Sequence, residues 1–425
     1  MKIISLKEIT PAEIVAQRDV AYASVEDKVK EVLSAVKERG DDALREYERR
    51  FDGVEIEDFL VSEDEIAAAV ERVGGEYMRI LERAAHNIRR FHEAQKRKDF
   101  TLNYDGITVG ERFIPVERAG LYVPGGTARY PSSVLMNCIP AVLAGVRETI
   151  ICTPPARDGS VPDGILAAAK VAGAGKVFKA GGAQAIAAMA YGTESIPAVD
   201  KIVGPGNVYV ATAKKLVQGV VGIDMIAGPS EILVIADESA NADWLAADLL
   251  SQAEHDKLAS AIMITDSKEL ASAVSKAVDR RLEALPRREI ASESIKNNGK
   301  IILTDSIEEA AVLSDKIAPE HLELAVKEPE KLLKSIQNAG SVFLGHYTPE
   351  AVGDYMAGSN HTLPTGGTAR FSSPLGVDDF VKKTQFIKMS PEALQNYCDD
   401  IAAFAESEGL RAHAESVRAR FDGNK

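Results

Sequence analysis

Four histidines of this chain lie within a few residues of a carboxylate or a carboxamide, in four separate regions. The pairs are Gln252 with His255, Glu320 with His321, Asp354 with His361, and Glu408 with His413. Imidazole can carry a proton near neutral pH or bind a metal through nitrogen. A nearby carboxylate can orient the ring, share the metal or activate water. If the fold brings the four pairs together, they contain enough groups for a divalent metal and an acid–base apparatus, so the sequence favours an enzyme.

The first two pairs leave a structural explanation open. Gln252 and His255 are spaced to lie on one face of a helix, one turn apart, which suits two ligands of one metal. A polar helix end, with a histidine favoured by the helix dipole, explains this spacing equally well. Glu320 and His321 are adjacent and follow Pro319, which disfavours helix at the residue before it. Because neighbouring side chains point apart on regular structure, either both act on two sides of a substrate or one is only structural.

The other two pairs lie nearer the C-terminus. Asp354 and His361 lie in the segment 345–376, which is rich in small residues and has little periodicity. A segment of this kind is more often an active-site loop than a plain connector. The alternative is a turn in which Asp354 and Asn360 bond their own backbone. Glu408 and His413 are separated by about 140° around a helix, so they would not share a face of one continuous helix. Taken alone, this last pair is typical of a solvated surface.

Composition and charge argue against several classes of protein. A chain of 425 residues is expected to form more than one domain. The formal charge of −14, with no stripe of Lys and Arg to offset it, argues against a nucleic-acid partner. Cys138, Cys152 and Cys398 form no CxxC motif, so neither a disulfide scaffold nor a thiolate zinc site is indicated. The N-terminal apolar run is too short for a signal peptide, and no stretch reaches the roughly 18–20 apolar residues of a membrane span. We expect a cytoplasmic protein with no membrane partner.

The first hundred residues are predicted to be helical. Helices are expected to begin at Thr10, Ser24 and Ser62, each followed by a proline or by acidic residues suited to a first helical turn. Gly40 is expected to end the second of these helices.

Two further histidines, His86 and His92, lie where apolar residues recur at helical spacing between positions 77 and 91. Both are interpreted as helix-surface histidines rather than as ligands.

From residue 119 onward, short apolar runs alternate with helices rich in small residues. Strands are predicted at 120–123, 149–152, 176–179, 201–203, 231–236, 261–264, 300–303 and 341–344. A β–α rhythm at this spacing predicts parallel sheets covered by helices, so the expected fold class is α/β. Two short helices separated by Gly409 are expected after Pro391.

Three strand-to-helix turns contain glycines that suit an anionic ligand. They are Pro124-Gly125-Gly126, Gly181-Gly182 and Gly204-Pro205-Gly206-Asn207. Helix N-termini at such turns can hold phosphate. None of the turns completes a dinucleotide fingerprint, because Tyr209 stands where the third glycine of the last turn would be. Together they predict an anionic ligand across the ends of one sheet.

These segments together resemble the histidinol dehydrogenase family over nearly the whole chain. The resemblance is carried by GLYVPGG at 120–126, GGAQAIAA at 181–188, KIVGPGN at 201–207, IDMIAGPSEILVIAD at 223–237, DLLSQAEHD at 248–256, APEHLEL at 318–324 and GDYMAGSNHTLPTGGTAR at 353–370. It implies oxidation of the small molecule L-histidinol to L-histidine, the last two steps of histidine biosynthesis. It also implies that two NAD molecules are reduced in sequence, that one zinc ion (Zn2+) is bound per subunit, and that a homodimer shares its active sites.

The resemblance also implies roles for individual residues. The expected metal ligands are Gln252, His255, Asp354 and His413, and the expected catalytic residues are Glu320 and His321. Substrate contacts are expected from Ser230, Gln252, His255, His321, Asp354, His361, Glu408 and His413. The expected NAD-site residues are Tyr122, Gln184 and Asn207. In the family the partner subunit supplies Glu408 and His413, so the two need not share a helical face.

The domain arrangement expected from the resemblance is two Rossmann-like parallel-sheet domains with incomplete fingerprints and small helical extensions. The expected parts are an N-terminal extension at 1–20, a discontinuous α/β domain at 21–118 plus 232–374, an α/β domain at 119–231, and a C-terminal extension at 375–425. The discontinuous domain is expected to carry the metal and catalytic residues, and the other α/β domain to lie on the NAD side.

The groups themselves suggest a division of labour. His321 is expected to take the alcohol proton as hydride leaves for NAD, which gives an enzyme-held aldehyde, and Glu320 to activate the water that hydrates it. The main alternative is a zinc hydrolase acting on a small amide or amidine, with Glu320 as the base that activates water. A non-catalytic metal- or nucleotide-binding protein is a third interpretation, but it gives Glu320 and His321 no task.

Overall fold

The computed structural model describes residues 1–16, 22–125 and 129–421, and these form two compact units. The first unit comprises Met1–Gln95 and Val116–Phe380, and the second comprises Lys96–Pro115 and Val381–Lys425. The four-part domain division expected from the sequence stays a prediction.

Strands and helices alternate along most of the chain. The strands are β1 Lys2–Ser5, β2 Phe100–Tyr104, β3 Ile107–Pro115, β4 Arg118–Tyr122, β5 Glu148–Thr153, β6 Lys176–Lys179, β7 Lys201–Val203, β8 Gly222–Ile223, β9 Glu231–Ala236, β10 Ser260–Thr265, β11 Lys300–Leu303, β12 His321–Ala325, β13 Ser341–Leu344 and β14 Val381–Met389. The helices are α1 Pro11–Ile14, α2 Tyr22–Arg39, α3 Asp41–Tyr47, α4 Glu63–Glu93, α5 Pro131–Ala144, α6 Asp163–Ala172, α7 Gly182–Tyr191, α8 Val208–Val217, α9 Ala242–Ala253, α10 Lys268–Leu282, α11 Arg288–Asn298, α12 Ile307–Ile317, α13 Pro329–Leu333, α14 Glu350–Tyr355, α15 Pro391–Ser407 and α16 Arg411–Arg418. A turn of π-helix at Glu48–Asp52 follows α3.

The larger sheet of the first unit has six parallel strands in the order β1-β11-β10-β9-β12-β13. Strands β9 and β10 are buried along their whole length, as expected for central strands of a parallel sheet covered on both faces. In β12, which pairs with β9, His321 lies opposite Ile232. The first residues of β9 and β12, Glu231 and His321, therefore lie next to each other at the amino ends of their strands.

The second sheet of this unit has five parallel strands in the order β6-β5-β4-β7-β8. The chain runs from β4 outward through β5 and β6 and then returns to the other side of β4 with β7. The order reverses between β4 and β7, which creates the crevice where ligands of such sheets bind. Gly204, just after β7, has φ of 115° and lies against the carbonyl group of Tyr122, so only glycine allows this close approach.

The parallel fold predicted from the sequence is confirmed. All eight predicted strands are present, each within two residues of its predicted bounds. The side chains of Thr10 and Ser62 cap α1 and α4 through capping boxes, as predicted. Helix α2 ends before Gly40, as predicted, but it begins at Tyr22 rather than at Ser24.

The interpretation of His92 as a surface residue is wrong, whereas His86 is exposed as predicted. The His92 side chain is fully buried, with Nδ1 2.8 Å from Gln95 Oε1 and Nε2 3.5 Å from the Asn360 amide nitrogen. The helical pattern of α4 could not show that the loop containing Asn360 covers this face.

The second unit contains a three-stranded antiparallel sheet in the order β14-β3-β2 and the helix pair α15 and α16. The sequence did not predict this sheet. The two helices at the C-terminus were predicted, and Gly409 separates them with φ of 78°. No helix in the described ranges combines the length and the apolar character that crossing a membrane would need.

Candidate active site

His321 is the centre of a buried polar cluster at the amino ends of β9 and β12. Its side chain is only 5% exposed. The ring atom Nδ1 lies 3.0 Å from the Glu231 carbonyl oxygen and 2.9 Å from the Gln252 amide nitrogen. Because a carbonyl oxygen only accepts, the first contact is a hydrogen bond when Nδ1 carries the proton. The other ring atom, Nε2, is buried and has no hydrogen-bond partner among the described residues. In the neutral ring of this tautomer, Nε2 is the atom that can accept a proton.

The backbone of Glu231 holds three of the predicted site residues together. Its N–H donates to Glu320 Oε2 at 2.8 Å, and its carbonyl oxygen accepts from the Gln252 amide at 3.3 Å and from His321. Ser230 precedes it, half-buried, and its carbonyl oxygen accepts from Ser260 N–H at 3.0 Å. The two adjacent residues Glu320 and His321 therefore face the same strand start, with Glu320 Oε2 3.6 Å from His321 Nδ1.

Two carboxylates of α14 lie on the Nε2 side of His321. Glu350 Oε1 is 3.9 Å from Nε2, and Asp354 follows four residues later on the same helix face. Ligand atoms of His321, Glu350 and Asp354 all lie within 4.8 Å of one another. The three side chains form a cluster that could hold a metal ion.

Burial and charge act in opposite directions on the groups of this cluster. Burial by itself would lower the pKa of His321, but the carboxylates of Glu350, Glu320 and Asp354 outweigh it and raise that pKa to about 10. Burial raises the pKa of Glu350 to about 7, and the negative charges of Asp354 and Glu320 add to this shift while His321 opposes it. The cluster has an excess of negative charge and would be stabilised by a bound cation.

His361 lies beside Asp354 in the loop that follows α14. Its Nδ1 is 3.9 Å from Asp354 Oδ1, and its Nε2 is 3.2 Å from the hydroxyl group of Ser133 in α5. Burial is the main cause that lowers the pKa of His361, and Asp354 opposes this shift. The neighbouring Asn360 donates to the Met136 carbonyl oxygen at 2.7 Å, which ties this loop to α5.

A cavity of about 500 Å³ opens beside the cluster. His255 and Asp354 line it together with apolar side chains of α4 and α5, such as Leu81 and Met136. The helix α9 ends at Ala253, so His255 lies just beyond the helix rather than on it, although its N–H still donates to the Gln252 carbonyl oxygen at 3.2 Å. A cavity of this size is in the usual range for a small-molecule site.

The donor set fits zinc or a similar divalent cation. His255 and Asp354 line the cavity and would offer an imidazole and a carboxylate oxygen. The buried Gln252 would offer its amide oxygen, because its amide nitrogen donates to the Glu231 carbonyl oxygen. Nitrogen and oxygen donors of these kinds suit zinc, and a catalytic zinc site leaves positions open for substrate.

Glu408 and His413 belong to the second unit. Glu408 is the C-cap residue of α15, and His413 lies in the first turn of α16. Both side chains are exposed within the single chain. Gly409 separates their helices, so the two residues do not form one helical face.

The predicted NAD-site residues Tyr122 and Gln184 are buried at the turn between β6 and α7. The Gly182 N–H donates to the Tyr122 hydroxyl oxygen at 3.0 Å, and the Gln184 amide donates to Glu48 Oε1 at 3.0 Å. Glu48 Oε1 also accepts from Gly181 N–H at 3.0 Å. The N–H groups of this glycine turn are therefore bonded within the chain, so this turn does not offer them to a phosphate as the sequence suggested.

The third NAD-site residue, Asn207, is the N-cap of α8. Its side-chain oxygen accepts from Tyr209 N–H at 3.0 Å and from Val210 N–H at 3.1 Å. Its amide nitrogen is the group that remains for a ligand. Asn207 follows β7, and Tyr122 is the last residue of β4. Both therefore lie at the crevice where the strand order reverses. The turn at Pro124-Gly125-Gly126 lies partly outside the described residues.

The sequence did not reveal several residues of the cluster. Glu350 follows Pro349 at the start of a short helix, where an acidic residue is usually solvated, and only its spacing of four residues from Asp354 gave a hint. Glu231 contributes its backbone N–H and carbonyl oxygen, and a motif of side chains cannot indicate such a contribution. Ser133 contacts His361 across 228 positions of sequence.

Similarity to known proteins decides the family. A family model described as histidinol dehydrogenase matches residues 15–421. A histidinol dehydrogenase of Bacillus cereus is 56% identical over 408 residues, which cover 96% of this chain and 95% of that protein. The chain belongs to the histidinol dehydrogenase family. A histidinol dehydrogenase of Bacillus subtilis is 50% identical over 421 residues, 98% of this chain and 99% of that one. The crystal structure of histidinol dehydrogenase from Elizabethkingia anophelis superposes with a TM-score of 0.94 at 41% identity, covering 100% of this chain and 98% of that one.

Membership of the histidinol dehydrogenase family makes this protein an oxidoreductase. The zinc hydrolase and the non-catalytic binding protein, which the residue pairs also allowed, are therefore excluded. The buried His321 and Glu320 then belong to an enzyme whose chemistry is dehydrogenation.

Proposed function

We propose that this protein oxidises L-histidinol to L-histidine through an enzyme-held aldehyde, transferring one hydride to each of two NAD molecules. The family supports the substrate and the reaction class. The observation that carries the proposal is the buried Nε2 of His321, which has no hydrogen-bond partner among the described residues and lies 3.9 Å from Glu350 Oε1. Dehydrogenation of an alcohol needs a group at this kind of position to accept the hydroxyl proton.

The metal site proposed for zinc consists of Gln252, His255 and Asp354 of one subunit and His413 of the partner subunit. When bound, the ion would supply positive charge that orients the substrate's nitrogen atoms and offsets the carboxylates that now raise the pKa of His321. Gln252 would use its amide oxygen for the metal, because its amide nitrogen donates to the Glu231 carbonyl oxygen. Orientation of the substrate, rather than polarisation of the reacting carbon, is the role we assign to this site.

His321 is the proposed proton acceptor in both oxidations. With Nδ1–H donating to the Glu231 carbonyl oxygen at 3.0 Å, the ring presents Nε2 to the substrate hydroxyl group. In the first oxidation Nε2 takes the hydroxyl proton while the carbon loses hydride, so the alcohol becomes an aldehyde. In the second, it takes a hydroxyl proton of the aldehyde hydrate while the same carbon loses a second hydride, which gives the carboxylic acid.

Glu320 is the proposed base that activates water between the two oxidations. Its Oε2 is held by the Glu231 N–H at 2.8 Å, so its other oxygen is the one that can accept a water proton. The water oxygen then adds to the aldehyde carbon while His321, protonated in the first oxidation, returns its proton to the aldehyde oxygen. The hydrate forms, His321 is neutral again for the second oxidation, and Glu320 passes the water proton to solvent. This assignment gives the two adjacent residues different steps.

The remaining site residues are proposed to hold the substrate. Ser230 and His361 would contact it within one subunit, and Glu408 of the partner subunit would face its ammonium group. This arrangement requires a homodimer, in which the partner's exposed Glu408 and His413 complete each site. We place the enzyme in the cytoplasm, a reducing compartment, because Cys138, Cys152 and Cys398 are free thiols.

Tyr122, Gln184 and Asn207 are proposed to contact NAD at the crevice between β4 and β7. NAD supplies the hydride acceptor for each oxidation. The incomplete glycine fingerprint fits this proposal, because the amide of Asn207 and the ends of β4 and β7, rather than a free glycine turn, would hold the dinucleotide.

The test is turnover of purified protein with L-histidinol and NAD, followed by NADH absorbance and by amino-acid analysis of the product. We expect two NADH and one L-histidine per L-histidinol consumed, loss of activity after chelation, and recovery after zinc is added. Absence of NADH from folded, zinc-loaded protein would refute the proposed substrate. One NADH per L-histidinol, with aldehyde as the product, would refute the second oxidation.

A further inference from the structure

A second buried carboxylate lies on the strand that carries His321. Glu323 is two residues further along β12, so its side chain points to the same side of the sheet as that of His321. Glu323 is only 4% exposed, and the chemistry proposed above gives it no task. A buried carboxyl group that is not paired with a cation costs stability unless its oxygens are hydrogen-bonded.

Glu323 binds the first residue of α14. Its Oε1 accepts from the Glu350 N–H at 2.8 Å, a bond that is itself buried. Helix α14 carries both Glu350 and Asp354. The position of Asp354 relative to His321 therefore depends on the bond between Glu323 and the start of this helix.

Glu323 also contacts α9, the helix that carries Gln252. Glu323 and Asp248 line the same small cavity, and Asp248 lies four residues before Gln252 on the same face of α9. Two carboxylates in contact repel each other unless they share a proton. Burial raises the pKa of Asp248 to about 6 and raises the pKa of Glu323 well above its usual range, which agrees with a shared proton.

We propose that the Asp248–Glu323 pair positions the metal site by fixing α9 and α14 against β12. Through the bond from Glu350 N–H to Glu323 and the packing of Glu323 beside Asp248, the pair joins the three elements that carry Gln252, Asp354 and His321. The pair itself would touch neither metal nor substrate. The proposal rests on the metal site proposed above, and supporting groups of this kind are worth about 10–100-fold in metal affinity.

An apolar residue of the same size would not replace Glu323. A buried Glu350 N–H without an acceptor is unfavourable, so α14 would shift to find another partner. Glutamine preserves both contacts, because its amide oxygen can accept from Glu350 N–H and its amide nitrogen can donate to Asp248. The pair Glu323→Gln and Glu323→Met therefore separates hydrogen bonding from volume.

The experiment measures zinc affinity of the full-length protein by competition with a chromophoric chelator, without substrate or NAD. Glu323→Met is expected to weaken zinc binding by about 10–100-fold, and Glu323→Gln to stay within about threefold of the wild type. The control is Glu328→Met, the same substitution at an exposed position that follows the C-terminal end of β12. Circular dichroism and thermal unfolding establish that each variant is folded.

The outcomes separate this inference from the proposed function. Wild-type protein that binds no zinc would refute the metal site itself. Wild-type binding with unchanged affinity in Glu323→Met, or equal loss in Glu323→Gln and Glu323→Met, would overturn the positioning role. If Glu323→Met does not fold, Asp248→Leu, at the half-buried member of the pair, is expected to weaken zinc binding, and unchanged affinity there would overturn the proposal.

Discussion

Replacing Lys214 with methionine should destabilise the turn that carries Asn207. The side chains of Lys214 and Asp224 form an ion pair, and each is 1% exposed. The Lys214 ammonium group donates to the Gly204 carbonyl oxygen at 2.8 Å, and Asp224 accepts from the Gly204 N–H at 2.8 Å. The pair therefore binds both polar groups of the glycine that follows β7.

The expected loss follows from leaving Asp224 buried without its counterion. Removing one partner of a buried ion pair costs about 3–5 kcal/mol of unfolding free energy. Asp224 keeps its bonds from the N–H groups of Gly204 and Met225, which places the expected loss near the lower limit, at about 3 kcal/mol. At roughly 2 °C per kcal/mol for a large domain, the Tm should fall by about 6 °C. A looser turn should also raise KM for NAD more than KM for L-histidinol.

The assay is thermal and urea unfolding together with steady-state kinetics, and the control is Lys215→Met. Lys215 is adjacent but exposed, so its replacement should change stability by no more than about 0.5 kcal/mol. The double variant Lys214→Met/Asp224→Asn should recover part of the loss, because it leaves no unpaired buried charge. The reasoning is refuted if Lys214→Met is no less stable than Lys215→Met, or if the double variant is no more stable than Lys214→Met.

Two other predictions concern the NAD side of the first unit. Burial raises the pKa of Glu48 to about 8, above its unfolded value near 4.5, so stability contributed by its protonated form is present below about pH 4.5 and lost as pH rises through 8. The Glu48→Gln side chain cannot ionise. Unfolding measured across pH should therefore show this variant to be more stable than the wild type above pH 8, by on the order of a few kcal/mol, and similar in stability near pH 5. A difference in stability that is constant at all pH values would contradict this. Asn207→Ala should lower the free energy of unfolding by about 1 kcal/mol, because the N-cap of α8 is lost, and should also raise KM for NAD. The control Asn241→Ala removes the equivalent cap of α9 and should lower stability by a similar amount with KM for NAD unchanged. Equal changes of KM in both variants would show that Asn207 acts only as a cap.

The parallel sheets were predictable because their strands are short, buried apolar runs separated by helices. Strands such as β9 and β10 are buried throughout, so their hydrophobicity appears in the sequence without reference to any partner. The antiparallel sheet of the second unit was not predictable in the same way. Every residue of β2 is exposed, and β3 pairs with β14, which lies more than 260 positions later in the chain.

The candidate site was predictable as a list of residue types but not as a geometry. His321 and Glu320 stand out in the sequence because a carboxylate and an imidazole follow a proline. Their shared contact with the backbone of Glu231 depends on the pairing of β12 with β9, which is set by tertiary structure. His92 shows the same limit, since an amphipathic pattern cannot report that a distant loop buries a polar residue.

The most direct test of the central claim is to measure the two oxidations separately in Glu320→Gln. With L-histidinol as substrate, rapid-mixing kinetics should show the first NADH formed at a rate close to that of the wild type, because His321 accepts that proton. With L-histidinaldehyde as substrate, oxidation to L-histidine should be slower by about 100-fold or more, because no base activates the water. His321→Gln should slow both reactions. Equal losses of both oxidations in Glu320→Gln would contradict the division of work between Glu320 and His321.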